Sequence, residues 1–106
     1  MPTPHDSSWA ASDDASSLLD AIISLEDQEG AERLLRDLCT RRELEEIVSR
    51  WAVVRRLAAG DSYRAIRENT SVSTATITRI NDWLRNGSGG YGEALNRLGI
   101  ERLQRS

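Results

Sequence analysis

The side chains best suited to chemistry lie between Arg64 and Asn86, and their types favour binding of a polyanion. The run from Ser73 to Arg79 is small and polar apart from one isoleucine, and Arg64 and Arg67 precede it. A small, polar helix face fits the DNA major groove, and arginine presents a planar fork of donors to phosphates and guanine edges. These residues predict a nucleic-acid interface, provided that a helix carries them.

The rest of the sequence gives little support for catalysis or metal binding. Cys39 is the only cysteine and His5 the only histidine. This excludes an internal disulfide and a multi-cysteine zinc site, and it disfavours a histidine-based triad. We find no nucleophile–base pair, metal cluster or phosphate-binding loop, so an enzyme is the least expected class and no cofactor is predicted.

Charge is distributed unevenly along the chain. The sequence has 14 arginines, no lysine and a net charge of −3. Residues 1–48 carry a net charge of −8, whereas residues 49–106 carry +5. The second half is therefore suited to nucleic acid although the whole chain is acidic.

Composition points to a small chain that associates. Leu, Ile and Val make up 23 of the 106 residues and there is no Phe, which is a thin core for one domain. We therefore expect a partner subunit to complete the burial. No apolar run approaches the ~18 residues of a membrane span, and the acidic N-terminus is not a secretory signal. A cytoplasmic protein without membrane contact is expected.

The polar composition of residues 1–16 predicts a disordered arm, and helical periodicity predicts an all-α fold with one helical domain over 17–106. Ser17 is the expected N-cap of the first helix and Asp27 that of the second. Thr40 and Glu43 form a capping box that opens a helix of roughly 18 residues, ended by Gly60. One stripe of this helix is predicted to be buried: Leu44, Ile47, Val48, Trp51, Val54 and Leu57.

Residues 61–87 have the layout of a helix-turn-helix. Asp61 or Ser62 caps a first short helix, with Tyr63 and Ile66 facing inward. A turn over 69–72 follows, with Val72 at its centre, and Ser73 caps a second helix. Ile77, Ile80 and Leu84 share the inner face of that helix. Its outer face carries Ala75, Thr78, Arg79, Asp82 and Asn86. A last helix lies within 90–106 and is ended by Gly99.

Four short sequence motifs point to one protein family. They are DLCT at 37–40, GDSYRAI at 60–66, STATITR at 73–79 and GY at 90–91. Together they resemble the Trp repressor superfamily and, within it, the YerC/YecD-type Trp-repressor-related proteins, over residues 18–98. The resemblance implies an intertwined helical homodimer, in which residues 17–60 supply the dimerisation helices and 61–87 the DNA-reading helix-turn-helix.

The resemblance also assigns DNA contacts by position. Arg64 matches a base-contacting arginine, and Thr74, Ala75 and Thr78 match residues that meet base edges. Arg67 matches a residue that contacts the DNA backbone. Further phosphate contacts are expected from Ser73 at the N-terminus of the second helix. Arg79 and Arg85 are also expected to contact phosphates, and these three residues complete the predicted interface.

A candidate ligand pocket departs from the family pattern. Thr40, Arg50 and Arg79 match residues that contact tryptophan in the Trp repressor. Ile80 and Trp83 stand where the repressor has a glycine and a serine. An isoleucine at that position is predicted to fill the pocket, since packed interiors tolerate little extra volume. Arg50 would then pair with Glu46, and Arg79 would contact a phosphate.

The turn differs from the family as well. Ser71 stands where related proteins usually have glycine, so the left-handed residue is expected to be either Ser71 or Asn69.

The sequence thus predicts a homodimeric, sequence-specific DNA-binding transcriptional regulator, more specifically a repressor, that acts on a pseudopalindromic operator without tryptophan. Two alternatives stay open: a ligand-responsive regulator of the same type, and a helical protein–protein interaction module that binds no DNA. The operator, the direction of regulation, any small-molecule effector and the role of the arm are not determined by the sequence.

Overall fold

The computed structural model describes residues 8–99, and this part of the chain contains helices and turns without a β-strand. The predicted all-α class is confirmed. A 3₁₀ helix over Ser8–Ala11 is followed by six α-helices, whose bounds are α1 Asp13–Ile23, α2 Gln28–Leu38, α3 Arg41–Ala58, α4 Tyr63–Thr70, α5 Thr74–Asn86 and α6 Gly90–Arg97. None of the helices described is long and apolar enough to cross a membrane.

The chain divides into two compact units between Glu45 and Glu46, inside α3. The first unit holds the 3₁₀ helix, α1, α2 and the start of α3. The second holds the remainder of α3 together with α4, α5 and α6. The predicted helix-turn-helix therefore lies entirely within the second unit.

The first helix begins earlier than predicted. The Ser12 hydroxyl accepts a hydrogen bond from the Ala15 amide at 3.0 Å and so caps α1, whereas Ser17 lies inside the helix. The predicted cap at Ser17 is wrong because α1 starts before its first bulky apolar residue, Leu18. Asp13 and Asp14 fill the first turn, where the helix dipole favours acidic side chains. Positions 8–16 of the predicted arm are helical or bent, and positions 1–7 lie outside the described residues.

The caps predicted for the next two helices are confirmed. The Asp27 carboxylate accepts from the Gly30 amide at 2.8 Å. In the capping box, the Thr40 amide donates to the Glu43 carboxylate at 2.8 Å and the Glu43 amide donates to the Thr40 hydroxyl at 3.1 Å. The hydrogen bond from the Thr40 amide, and to a smaller extent that from the Thr40 hydroxyl, lowers the pKa of the Glu43 carboxyl. Gly60 follows α3 with a φ of 86°.

The first unit leaves its apolar side chains accessible. Among residues 8–45 none is buried. Ile23 is 79% exposed, and the neighbouring large apolar residues of α1 and α2 that are also exposed are Leu19, Ile22, Leu35 and Leu38. Helices with apolar residues on one face gain stability only when that face is covered.

The stripe predicted on α3 is only partly buried. Val54 is fully buried, and Trp51 and Leu57 pack against the core. Ile47 and Val48, however, are 49% and 67% exposed. The prediction that these two are buried is wrong within a single chain, because periodicity marks an apolar face without identifying what covers it.

The second unit has a well-defined core. The apolar side chains from α3, α4, α5 and α6 that are fully or almost fully buried are Val53, Val54, Ala58, Ile66, Ile77, Ile80 and Leu95. Each such isoleucine or leucine contributes about 1.5–3 kcal/mol by leaving water. Helix α5 packs against both α4 and α6, so the core fixes the orientation of α5 on its neighbours.

The last helix agrees with the prediction in its main features. Helix α6 begins at Gly90, within the predicted range of 90–106, and Gly99 follows it with a φ of 72°. The tail over 100–106 lies outside the described residues.

Candidate nucleic-acid interface

The turn between α4 and α5 is three residues long and left-handed at its first position. Ser71 has φ 59° and ψ 18°. Asn69 lies inside α4, where its side-chain amide donates to the Ala65 carbonyl at 2.8 Å. Of the two alternatives for the left-handed residue, Ser71 is therefore correct, and Asn69 and Thr70 belong to the helix. Val72 packs against the core, as predicted.

The N-terminus of each short helix is capped by a serine. Ser62 accepts from the Ala65 amide at 3.1 Å, which decides between Asp61 and Ser62. Ser73 accepts from the Thr76 amide at 3.2 Å and donates to the Thr76 hydroxyl at 3.1 Å. An α-helix leaves its first amides without intrahelical acceptors, so the start of α5 presents N–H groups and the positive end of the helix dipole.

The outer face of α5 is small, polar and exposed. Thr74, Ala75, Thr78 and Arg79 are all exposed, whereas Ile77 and Ile80 on the inner face are fully buried. The Thr78 hydroxyl donates to the Thr74 carbonyl at 3.0 Å. Its oxygen is therefore left to accept a hydrogen bond, and its methyl group is available for an apolar contact.

The predicted arginines differ in their charge partners. Arg64 pairs with Glu68 on α4, with its Nε 3.2 Å from the carboxylate. Within residues 8–99, by contrast, Arg67, Arg79 and Arg85 form no ion pair with a carboxylate. All three are exposed, so their positive charges are available to an anionic partner.

One polar contact joins α4 to α5. The side-chain Nδ2 of Asn81 donates to the Tyr63 hydroxyl at 3.0 Å, and the side-chain Oδ1 of Asn81 accepts from the Arg85 Nε at 3.3 Å. Asn81 is not among the functional residues predicted from the sequence. The one signal in the sequence that could have indicated Asn81 is its low helix propensity in the middle of a predicted helix.

The structure places the residues of the candidate ligand pocket in different surroundings. Ile80 has no accessible surface and belongs to the core, and Trp83 packs against the same core. Arg50 and Arg79 are exposed. The expected ion pair between Glu46 and Arg50 is not among those formed by residues 8–99. Thr40, in the first unit, is occupied by the capping box.

Metal binding finds no support in the described residues. No group of three or more His, Cys, Asp or Glu side chains between positions 8 and 99 is arranged to hold an ion. Cys39 is half-buried at the end of α2.

Comparison with known proteins agrees with the family resemblance. The family model described as Trp repressor protein matches residues 13–99. The chain is 40% identical over 81 residues to the uncharacterised protein YerC of Bacillus subtilis (strain 168), and the match covers 76% of this chain and 78% of YerC.

Two crystal structures have the same fold. A TrpR-like protein from Eubacterium eligens ATCC 27750 aligns with a TM-score of 0.83 and 34% identity, over 90% of this chain and 98% of its own. A proposed Trp repressor from Staphylococcus aureus aligns with a TM-score of 0.85 and 31% identity, over 92% and 98% of the two chains.

Proposed function

Because the chain belongs to the Trp repressor family, we propose that it is a homodimeric, sequence-specific DNA-binding regulator of transcription, acting in the cytoplasm as a repressor. The observation that carries this proposal is the exposed polar face of α5. That face lies opposite the fully buried Ile77 and Ile80, and three arginines without acidic partners in the described chain accompany it.

Each predicted contact has a chemical role that suits its surroundings. Arg64 offers donors to a guanine edge, and Thr78 offers an acceptor and a methyl group to adenine, cytosine or thymine. Thr74 and Ala75 are small enough for close approach of the helix. Ser73 caps α5, and the free amides that follow it bind a phosphate, as do Arg67, Arg79 and Arg85.

The decisive experiment selects bound sequences from a random duplex library without added ligand. Wild type should enrich a pseudopalindrome whose half-sites lie ~34 Å apart. Arg64→Ala and Thr78→Ala should relax the preference at individual bases, with a loss of about 1–3 kcal/mol for a bidentate base contact.

Arg97→Ala is the matched control for Arg64→Ala. Arg97 pairs with Glu93 at 3.0 Å, four residues away, as Arg64 pairs with Glu68, and both arginine side chains are about 80% exposed. If Arg97→Ala impairs selection as much as Arg64→Ala, the effect is one of net charge and the assigned base contact is wrong. A wild type that enriches no sequence and is not retained on heparin would favour the protein–protein interaction module.

The salt dependence should be moderate. Three phosphate-binding arginines per protomer give about six contacts per dimer and a slope of log affinity against log salt of about −5. A much steeper slope would mean that other basic residues contact DNA.

Homodimer formation is supported by the apolar residues that the single chain leaves exposed. Ile23, Val48 and their neighbours on α1, α2 and α3 form exposed apolar surface, which is stable in water only when a partner buries it. A second copy of the chain has the same apolar surface and can bury it in a symmetric dimer. Val48→Asp should produce monomers in sedimentation equilibrium, whereas the near-isosteric Val48→Thr should retain the dimer. A wild type that is monomeric at tens of micromolar would contradict the proposal.

Action without tryptophan is supported by Ile80. Its side chain has no accessible surface and lies in the core that orients α5. A ligand at that position would have to displace packed atoms, which is costly in a protein interior. The alternative, a ligand-responsive regulator, predicts saturable heat when tryptophan or related indoles are titrated into the protein.

A further inference from the structure

We infer that Asn81 is a positioning residue for Arg85, anchored on α4 through Tyr63, and that it aligns the Arg85 guanidinium with a DNA phosphate. This inference rests on the proposed function, because it concerns how one of its contacts is made. It assigns a role to two side chains for which the sequence analysis gave no function.

Tyr63 and Asn81 connect α4 to α5. Tyr63 is the first residue of α4 and packs against the core, and Asn81 is half-buried on α5. Their hydrogen bond of 3.0 Å links residues 18 positions apart. By contrast, the pair formed by Asn86 and Asp82 lies within α5. The Asn81 side chain is therefore held by a group outside its own helix.

The anchored Asn81 side chain in turn orients Arg85. The Asn81 amide cannot turn freely while its nitrogen donates to Tyr63, so its carbonyl oxygen stays directed at the Arg85 Nε, 3.3 Å away. With Nε occupied, both Nη groups stay available as donors, since neither forms a hydrogen bond within residues 8–99. These can donate to two oxygens of one phosphate, which is the bidentate geometry that arginine favours.

Holding Arg85 in place lowers the entropic cost of its contact with DNA and leaves its charge intact. A free arginine side chain loses much rotamer freedom on binding, and a side chain held beforehand loses less. Arg85 also forms no ion pair with a carboxylate in residues 8–99, so its charge is not neutralised there. The contact from Asn81 restrains the guanidinium without cancelling its charge.

The test is a double-mutant cycle on the duplex that wild type selects. Asn81→Ala should weaken binding about three- to tenfold, which corresponds to the net loss of one hydrogen bond. Arg85→Lys keeps the charge but has no Nε–H. In the Arg85→Lys background Asn81→Ala should therefore have no further effect, while the salt slope stays close to that of wild type.

Two tyrosine variants complete the design. Tyr63→Phe removes the anchoring hydroxyl and should weaken binding in the same direction as Asn81→Ala. Tyr91→Phe is the matched control, because Tyr91 is also half-buried against the core and its hydroxyl has no hydrogen bond with the described residues. It should leave binding unchanged. Circular dichroism and thermal unfolding show whether each variant is folded, and Tyr63→Phe serves as the test if Asn81→Ala is not.

The outcomes separate this inference from the function on which it rests. If wild type selects a duplex but Asn81→Ala weakens binding equally in the wild-type and Arg85→Lys backgrounds, Asn81 acts only on the structure and the inference is wrong. The inference is also wrong if neither Asn81→Ala nor Tyr63→Phe changes affinity. If wild type selects no duplex at all, the proposed function fails and the inference fails with it.

Discussion

Replacing Ser71 with glycine should stabilise the protein. Ser71 is the only non-glycine residue between positions 8 and 99 with a positive φ, at 59°. For L-amino acids the left-handed conformation costs about 1–2 kcal/mol, because Cβ approaches the carbonyl oxygen too closely. Glycine has no Cβ and escapes this cost.

The gain is smaller than the strain itself. Glycine also makes the unfolded chain more flexible, which costs about 0.5–1 kcal/mol relative to a residue with a Cβ. The difference leaves a net stabilisation of about 0.5–1 kcal/mol for Ser71→Gly. For a domain of this size, that corresponds to an increase in Tm of about 2–8 °C.

The measurement is thermal and urea unfolding followed by circular dichroism. All variants must be compared at the same protomer concentration, because the stability of an associating protein depends on it. Ser71→Ala is the control. It keeps a Cβ at the strained position, and the Ser71 side chain makes no hydrogen bond with the described residues, so its stability should lie within about 0.5 kcal/mol of wild type.

A Ser71→Gly variant with unchanged or lowered stability would refute the reasoning. It would mean that the turn does not hold residue 71 in the left-handed region in solution. A gain shared equally by Ser71→Ala would refute it differently, because the benefit would then come from removing the hydroxyl.

Three other features give measurable expectations. Thr40 holds the pKa of Glu43 below its ordinary value of 4.5, so the ionised carboxylate stabilises the folded state above that pH and the effect is lost as the pH falls through the lowered pKa. The stability difference between wild type and Glu43→Gln should therefore be present at neutral pH and disappear in acid unfolding experiments. Ile80→Ala should destabilise the protein by about 2–5 kcal/mol in urea unfolding, and calorimetry of wild type with tryptophan should give no saturable heat. Ser12→Ala should cost about 1 kcal/mol through loss of a cap, whereas Ser17→Ala, inside the same helix, should cost less; equal losses in unfolding experiments would contradict the helix start at Asp13.

The caps and the inner faces of the short helices were predictable from the sequence because they depend on local chemistry. Thr40 and Glu43 need only each other, three residues apart, and Ile77 and Ile80 repeat at helical spacing. The start of α1 was misjudged because Ser12 and its acidic neighbours precede the first bulky apolar residue. There, capping and the helix dipole start the helix without an apolar face.

Features that depend on residues distant in sequence could not be predicted from local sequence patterns. The periodicity of α3 is the same at the exposed Val48 and the buried Val54, so spacing alone could not separate them. Likewise, the contact between Tyr63 and Asn81 depends on how α4 packs on α5. Of the predicted DNA-binding residues, the structure brings the α5 set onto one exposed face, and their contacts with DNA stay predictions.

The order of charges in the pair between Arg64 and Glu68 has a consequence for how Arg64 is released. On α2 and α6 the acidic partner precedes the arginine, as in Glu93 and Arg97, which suits the direction of the helix dipole. On α4 the order is reversed, with the guanidinium near the positive end of the helix and the carboxylate near the negative end. This pair is the less favourable arrangement, so in the proposed complex DNA replaces Glu68 as the partner of Arg64 at little cost. Under the proposed function, the Glu68 carboxylate competes with other anions for Arg64, in an ion pair that DNA replaces easily.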